Sequence, residues 1–143
     1  MSTTRHVPPI QSAEEFFRLR TSDFPDEQLR ATHGGAPVEV WFEVIAEHPD
    51  MRFWVAHNRT VPDEVLGLLA RDPDPRVRWR VADRRSCPPS VMEELCTDSD
   101  EGVRERLSFN ARTPRSILER LERDRVARIA KQARKRLSAL DTS

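Results

Sequence analysis

Asp72-Pro73-Asp74-Pro75-Arg76-Val77-Arg78-Trp79-Arg80-Val81-Ala82, followed by Pro88-Pro89-Ser90-Val91-Met92-Glu93-Glu94-Leu95, decides the fold, because the chain says it three times. Shifting this stretch back by 26 residues superposes it on Met51-Arg52, Val55-Ala56, Pro62 and Val65-Leu66 through Leu69. Shifting it forward by 26 gives Val103-Arg104, Leu107-Ser108, Pro114, Ile117-Leu118 and Leu121. Apolar character is kept at 51/77/103, 55/81/107, 65/91/117, 66/92/118 and 69/95/121 without a gap. A fixed period of this kind is the mark of a repeat architecture and has to be read before any motif.

Each unit holds two helical pieces. The first is short, with apolar residues four apart (Met51/Val55, Val77/Val81, Val103/Leu107), which places them on one face of about two turns. The second opens at the recurring Pro62, Pro88 and Pro114, since proline is tolerated in a helix's first turn. Thr113, Thr60 and Ser86 are the expected caps. Val65/Leu66/Leu69 and its counterparts then form an inward stripe, and Asp72, Asp98 and Asp124 close the units. Neither piece buries its stripe alone, so units must stack. The expected fold is all-α: a short α-solenoid of about three two-helix repeats within a single domain, 1–143.

Working outward, Pro37 to Ile45 reads as the second helix of a degenerate unit whose first piece lies at about 26–33. Ser12-Ala13-Glu14-Glu15 has capping-box form and starts a helix to about Arg20. Residues 1–46 therefore read as an N-terminal helical cap and half-repeat, and 47–124 as the three tandem repeats. A basic capping helix occupies 125–137, with Val126, Ile129, Ala130, Ala133 and Leu137 at helical spacing, and 138–143 is expected to fray.

The unit Asp-Pro-Asp-x-x-Val-Arg-x-x-Val-Ala, continued by Pro-Pro-x-Val-Met-x-x-Leu, resembles the leucine-rich repeat variant family, a bacterial relative of HEAT-like repeats. The resemblance covers 47–124. It implies a right-handed superhelix, a first piece that is partly 3₁₀, and no shared enzymatic activity. The iron–sulfur domain of the first-described member is not carried over, because clustered cysteines are lacking; no cofactor is expected.

Composition narrows the function. The 143 residues are 37% hydrophobic, below the roughly 45–50% of ordinary globular chains, as suits a thin solenoid. No apolar run approaches the roughly 18–20 residues of a membrane span, and the Met1–Pro9 stretch lacks the apolar core of a signal peptide. Cys87 and Cys96 are too few for a disulfide framework, and a cytoplasmic protein with reduced thiols is expected. Four histidines without metal-ligand spacing argue against a metal. The 24 basic and 24 acidic residues balance, yet 1–111 carry 14 basic against 20 acidic and 112–137 carry ten against three. An acidic body thus ends in a basic segment.

Three sets of residues are candidates for binding. Arg52, Arg78 and Arg104 recur at one phase and form a ladder spaced about 8–10 Å in stacked units. They either face an acidic partner or pair internally with Asp72 and Asp98, six residues before Arg78 and Arg104. A second set varies between units: Phe53, Trp79 and Glu105 at one phase, Trp54, Arg80 and Arg106 at the next. Aromatics beside arginines have the composition of binding hot spots, although one aromatic per unit could equally fill an interhelical groove. The third is the basic helix with Arg125, Arg128, Lys131, Arg134, Lys135 and Arg136, either a binding surface or a solvated face. No catalytic constellation emerges. The expectation is a non-enzymatic scaffold that binds another protein through its variable face. Nucleic-acid binding through the arginine ladder and basic helix is the alternative, and a DNA-glycosylase-like enzyme comes third.

Overall fold

The computed structural model describes residues 7–142. Among them ten α-helices and one 3₁₀ turn form the secondary structure, with no strand. None of these helices is long and apolar enough to cross a membrane. The chain groups into two compact units, Met1–Val65 and Leu66–Ser143.

The first unit contains α1 (Ala13–Arg20), α2 (Pro25–His33), α3 (Val38–Glu47), the 3₁₀ turn Pro49–Met51 and α4 (Arg52–His57). Ser12 caps α1 by accepting the Glu15 N–H at 3.1 Å. Glu15 reaches back to the Gln11 N–H rather than to Ser12 itself, a one-residue variant of the capping box. Helix α1 packs on α2 and α3, and α3 on the 3₁₀ turn and α4. The centre of this unit is Trp41, fully buried, with Phe16 edge-on to it at 5.4 Å between centroids.

Helix α5 (Asp63–Leu69) runs from the first unit into the second. The second unit continues with α6 (Pro75–Asp83), α7 (Pro89–Leu95), α8 (Glu101–Phe109), α9 (Arg115–Leu121) and α10 (Ala127–Asp141). Helix α8 lies against both α6 and α10, and α9 against α10. Every apolar residue of the five repeating phases is buried, as are Ile129 and Ala133 in the same register on α10. That periodic core follows directly from the i, i+4 and i, i+1, i+4 spacings.

Local details depart from the sequence reading. The first pieces α6 and α8 are α-helical throughout; 3₁₀ geometry is confined to Pro49–Met51, ahead of α4. Their starts are fixed by a repeated aspartate: Asp74 accepts from the Arg76 N–H at 2.9 Å and Asp100 from the Val103 N–H at 3.1 Å. Pro88 and Pro114 occupy the N-cap position of α7 and α9, one residue earlier than expected. Thr113 does not cap α9. Its hydroxyl donates backward to the Leu107 carbonyl at 2.7 Å, and Thr60 likewise donates to Gly34 O at 3.2 Å. Thr113 therefore closes the preceding helix α8, whereas Thr60 reaches back to the C-terminal end of α2. Residues 138–141, expected to fray, are helical: α10 continues to Asp141, whose Oδ1 takes Arg115 Nη2 at 2.6 Å.

Candidate functional site

The arginine phase of the second unit forms two equivalent clasps. Arg78 donates from Nε and Nη2 to the Asp98 carboxylate at 2.8 and 3.1 Å, and from Nη1 to the Asp72 carbonyl at 2.7 Å. Arg104 does the same 26 residues on, to the Asp124 carboxylate at 2.8 and 3.4 Å and the Asp98 carbonyl at 2.7 Å. The aspartate six residues upstream thus offers only its backbone; the carboxylate comes from 20 residues downstream. That corrects the internal pairing expected from sequence. Each carboxylate also accepts the N–H two residues further on, Asp98 from Asp100 and Asp124 from Val126, both at 2.9 Å. The fork of Arg104 is nearly enclosed, with 6% of either side chain exposed. In the first unit, Arg52 Nε donates to the Ile45 carbonyl at 2.8 Å.

Burial alone would push the Asp124 carboxyl up. The hydrogen bonds from Arg104 and the Val126 N–H outweigh it and hold Asp124 below its usual 3.8. A carboxyl depressed on folding contributes stability above its unfolded pKa, and that contribution is lost as pH falls through the folded value. Asp124→Asn is therefore expected to lower stability at pH 7 and to weaken the loss of stability below about pH 4. Urea midpoints measured from pH 7 to pH 2 check this.

A second recurring device escaped the sequence reading. Asn58 Nδ2 donates to the Ala31 and Gly34 carbonyls at 2.7 and 2.9 Å. Asn110, at the same phase of the 26-residue sequence period, donates to the Ala82 and Arg84 carbonyls at 2.7 and 2.8 Å. Arg136, 26 residues beyond Asn110, reaches the Ser108 and Asn110 carbonyls at 2.9 and 2.8 Å. All three satisfy the open carbonyls at the end of an earlier helix. Arg136 was expected on the binding surface of the basic helix. It is instead half-buried, and burial pushes its guanidinium pKa down.

The variable phases lie elsewhere. In the first unit Arg20 sits 3.6 Å over the Trp54 ring, with Phe53 and His57 edge-on to the same ring at 5.1 and 5.5 Å. In the second unit Trp79 on α6 is 37% exposed and Phe109 on α8 is 49% exposed. The Arg106 guanidinium lies 5.6 Å from the Trp79 ring and 6.0 Å from the Phe109 ring. Asp83 anchors this cluster, with one oxygen 2.5 Å from Arg80 Nη1 and the other 2.7 Å from Arg106 Nε. Trp79, Arg80 and Arg106 are thus brought together within the second unit, while Phe53 and Trp54 form their own cluster in the first. Phe109 and Asp83 were not singled out in the sequence. A signal existed: 57/83/109/135 reads His, Asp, Phe, Lys, a third variable phase four residues after Phe53/Trp79/Glu105.

The same phases continue onto α10. Glu105 and Phe109 of α8, with Arg128, Lys131, Gln132, Arg134, Lys135 and Ser138 of α10, line a groove of about 540 Å³. Arg128 bridges Glu101, at 2.9 Å, and Glu105. Lys131, Arg134 and Lys135 are exposed, and no described carboxylate lies within ion-pair distance of them. Arg125 lies apart, beside the Arg104–Asp124 clasp.

Cys96 is buried and donates to the Glu93 carbonyl at 3.1 Å; burial pushes its thiol pKa up, away from a reactive thiolate. Cys87 is also buried. Among the described residues, Glu14, Glu47 and His48 bring donor atoms within 4.8 Å of one another, the two glutamates exposed and the imidazole stacked on Phe17 at 5.0 Å. Comparison with protein-family models, with curated proteins and with solved structures gives no match.

Proposed function

We propose that the chain is a short α-solenoid that acts as a non-enzymatic scaffold and binds another protein through its variable face. The recurrence of the Arg–Asp clasp at 26 residues supports the repeat reading. The binding reading rests on one observation: Trp79 and Phe109 are both partly open to solvent and both lie close to the Arg106 guanidinium. Two large aromatics beside an arginine have the composition of a binding hot spot, where each such side chain accounts for about 2 kcal/mol or more of affinity. The phases that hold the fold are kept between units, and these change. Scaffolds of this kind vary one face and keep the core.

Trp79→Ala with Phe109→Ala tests the reading. The double variant is expected to melt like the parent, since both rings are partly exposed, and to bind the native partner on the order of a thousandfold more weakly. Native partners captured equally by both proteins would contradict it.

Nucleic-acid binding is the second reading, drawn from the cations Lys131, Arg134 and Lys135. The clasp arginines do not support it, because Arg78 and Arg104 are already engaged by carboxylates. Glu101 and Glu105 beside the groove, and the acidic excess over 1–111, oppose a polyanion. A gel shift at about 50 mM salt that vanishes as salt rises would favour this second reading.

A further inference from the structure

The six basic residues of 125–137 fall into four groups. Arg128 is held by Glu101 and Glu105, Arg136 satisfies the carbonyls at the end of α8, and Arg125 sits beside the Asp124 clasp. Lys131, Arg134 and Lys135 remain, three and four residues apart on one face of α10, around the groove shared with α8. Facing them on the α8 side is Phe109, half exposed, with its ring able to accept an apolar group. Resting on the scaffold reading above, we infer that this groove takes an acidic segment of the partner protein that carries one large apolar side chain.

The chemistry of the groove selects this occupant. Three cations without carboxylate partners favour anionic ligands, and Arg134 adds a planar fork suited to a carboxylate. A volume of about 540 Å³ accommodates a few side chains. Phe109 offers the apolar contact that purely electrostatic binding would leave unused. Discrete acidic side chains can be spaced to avoid Glu101 and Glu105, whereas a phosphate backbone runs past both with continuous charge. Binding at the open rim should be steered by charge and weaken with salt.

The test uses the full chain and a fluorescein-labelled synthetic peptide of glutamates around one central phenylalanine. Titration should show saturable binding, weakened about tenfold or more by Lys131→Glu with Lys135→Glu, and weakened to a similar degree when serine replaces the peptide's phenylalanine. Lys131→Gln with Lys135→Gln, which only neutralises the site, should fall between. Absence of binding, or equal binding by parent and double variant, would overturn the inference. So would single-stranded DNA that binds more tightly at the same lysines. If the peptide fails while Trp79→Ala with Phe109→Ala still loses the native partner, the groove inference falls and the scaffold reading stands. Peptide binding combined with a native partner indifferent to Trp79→Ala with Phe109→Ala overturns both, because that partner then uses neither Phe109 nor the groove it lines.

Discussion

Arg104→Ala is expected to lower the stability of the second unit by about 3 kcal/mol, the largest effect of any charged residue there. The cause is the aspartate left behind. Asp124 is almost enclosed and loses two of its hydrogen bonds, while the Asp98 carbonyl loses its guanidinium partner. Breaking a buried pair by removing one partner costs about 3–5 kcal/mol; the lower end applies because Asp124 keeps the Val126 N–H. A lysine at 104 should recover only part of the loss, since an ammonium cannot donate to the carboxylate and the carbonyl in one plane. Arg71→Ala, which breaks the solvent-exposed pair to Glu94, removes the same formal charge and should leave the melting temperature nearly unchanged. Urea denaturation of the three variants, with hydrogen exchange over α8 to α10, checks the ordering.

Trp41→Ala should cost the first unit about 3–5 kcal/mol, the range for truncating a fully buried large aromatic. The indole fills the space between α1 and α3, and Phe16 stands edge-on to it. Alanine removes both the transferred apolar surface and Phe16's contact, leaving a cavity that three short helices cannot close without moving. Phenylalanine at 41 should cost less. Amide exchange across residues 13–47 reads the effect locally: protection should collapse in Trp41→Ala and survive in Trp41→Phe.

Why some of this was legible in the sequence and some was not has a physical basis. The core could be read because burial acts on each residue separately: an apolar side chain repeated every 26 positions announces its own face. Ser12, at the start of an acidic turn, could likewise be read as a cap from local chemistry alone. The clasps could not. Asp98 and Asp124 lie 20 residues beyond their arginines, and nothing local distinguishes that partner from the aspartate six residues before. Carbonyl recognition was hidden for another reason: asparagine and arginine do the same job at 110 and 136, so chemical identity is lost while function is retained. Phe109 was overlooked because Asp83 and Lys135 at its phase share neither charge nor polarity with it, and only geometry places it beside Trp79 and α10.

Under the proposed reading, the arginines and lysines of the second unit divide into those that hold the helices together and those that meet a partner. Thermal unfolding of the parent, Arg104→Ala and Lys131→Glu/Lys135→Glu, each with and without the acidic peptide, tests that division most directly. Arg104→Ala should begin at a lower melting temperature and still be raised by the peptide. Lys131→Glu/Lys135→Glu should begin near the parent and gain nothing from the peptide, because a ligand stabilises only the folded form it binds. The opposite pattern, a groove variant that melts early yet responds to peptide beside an Arg104→Ala that melts normally and does not, would contradict the account.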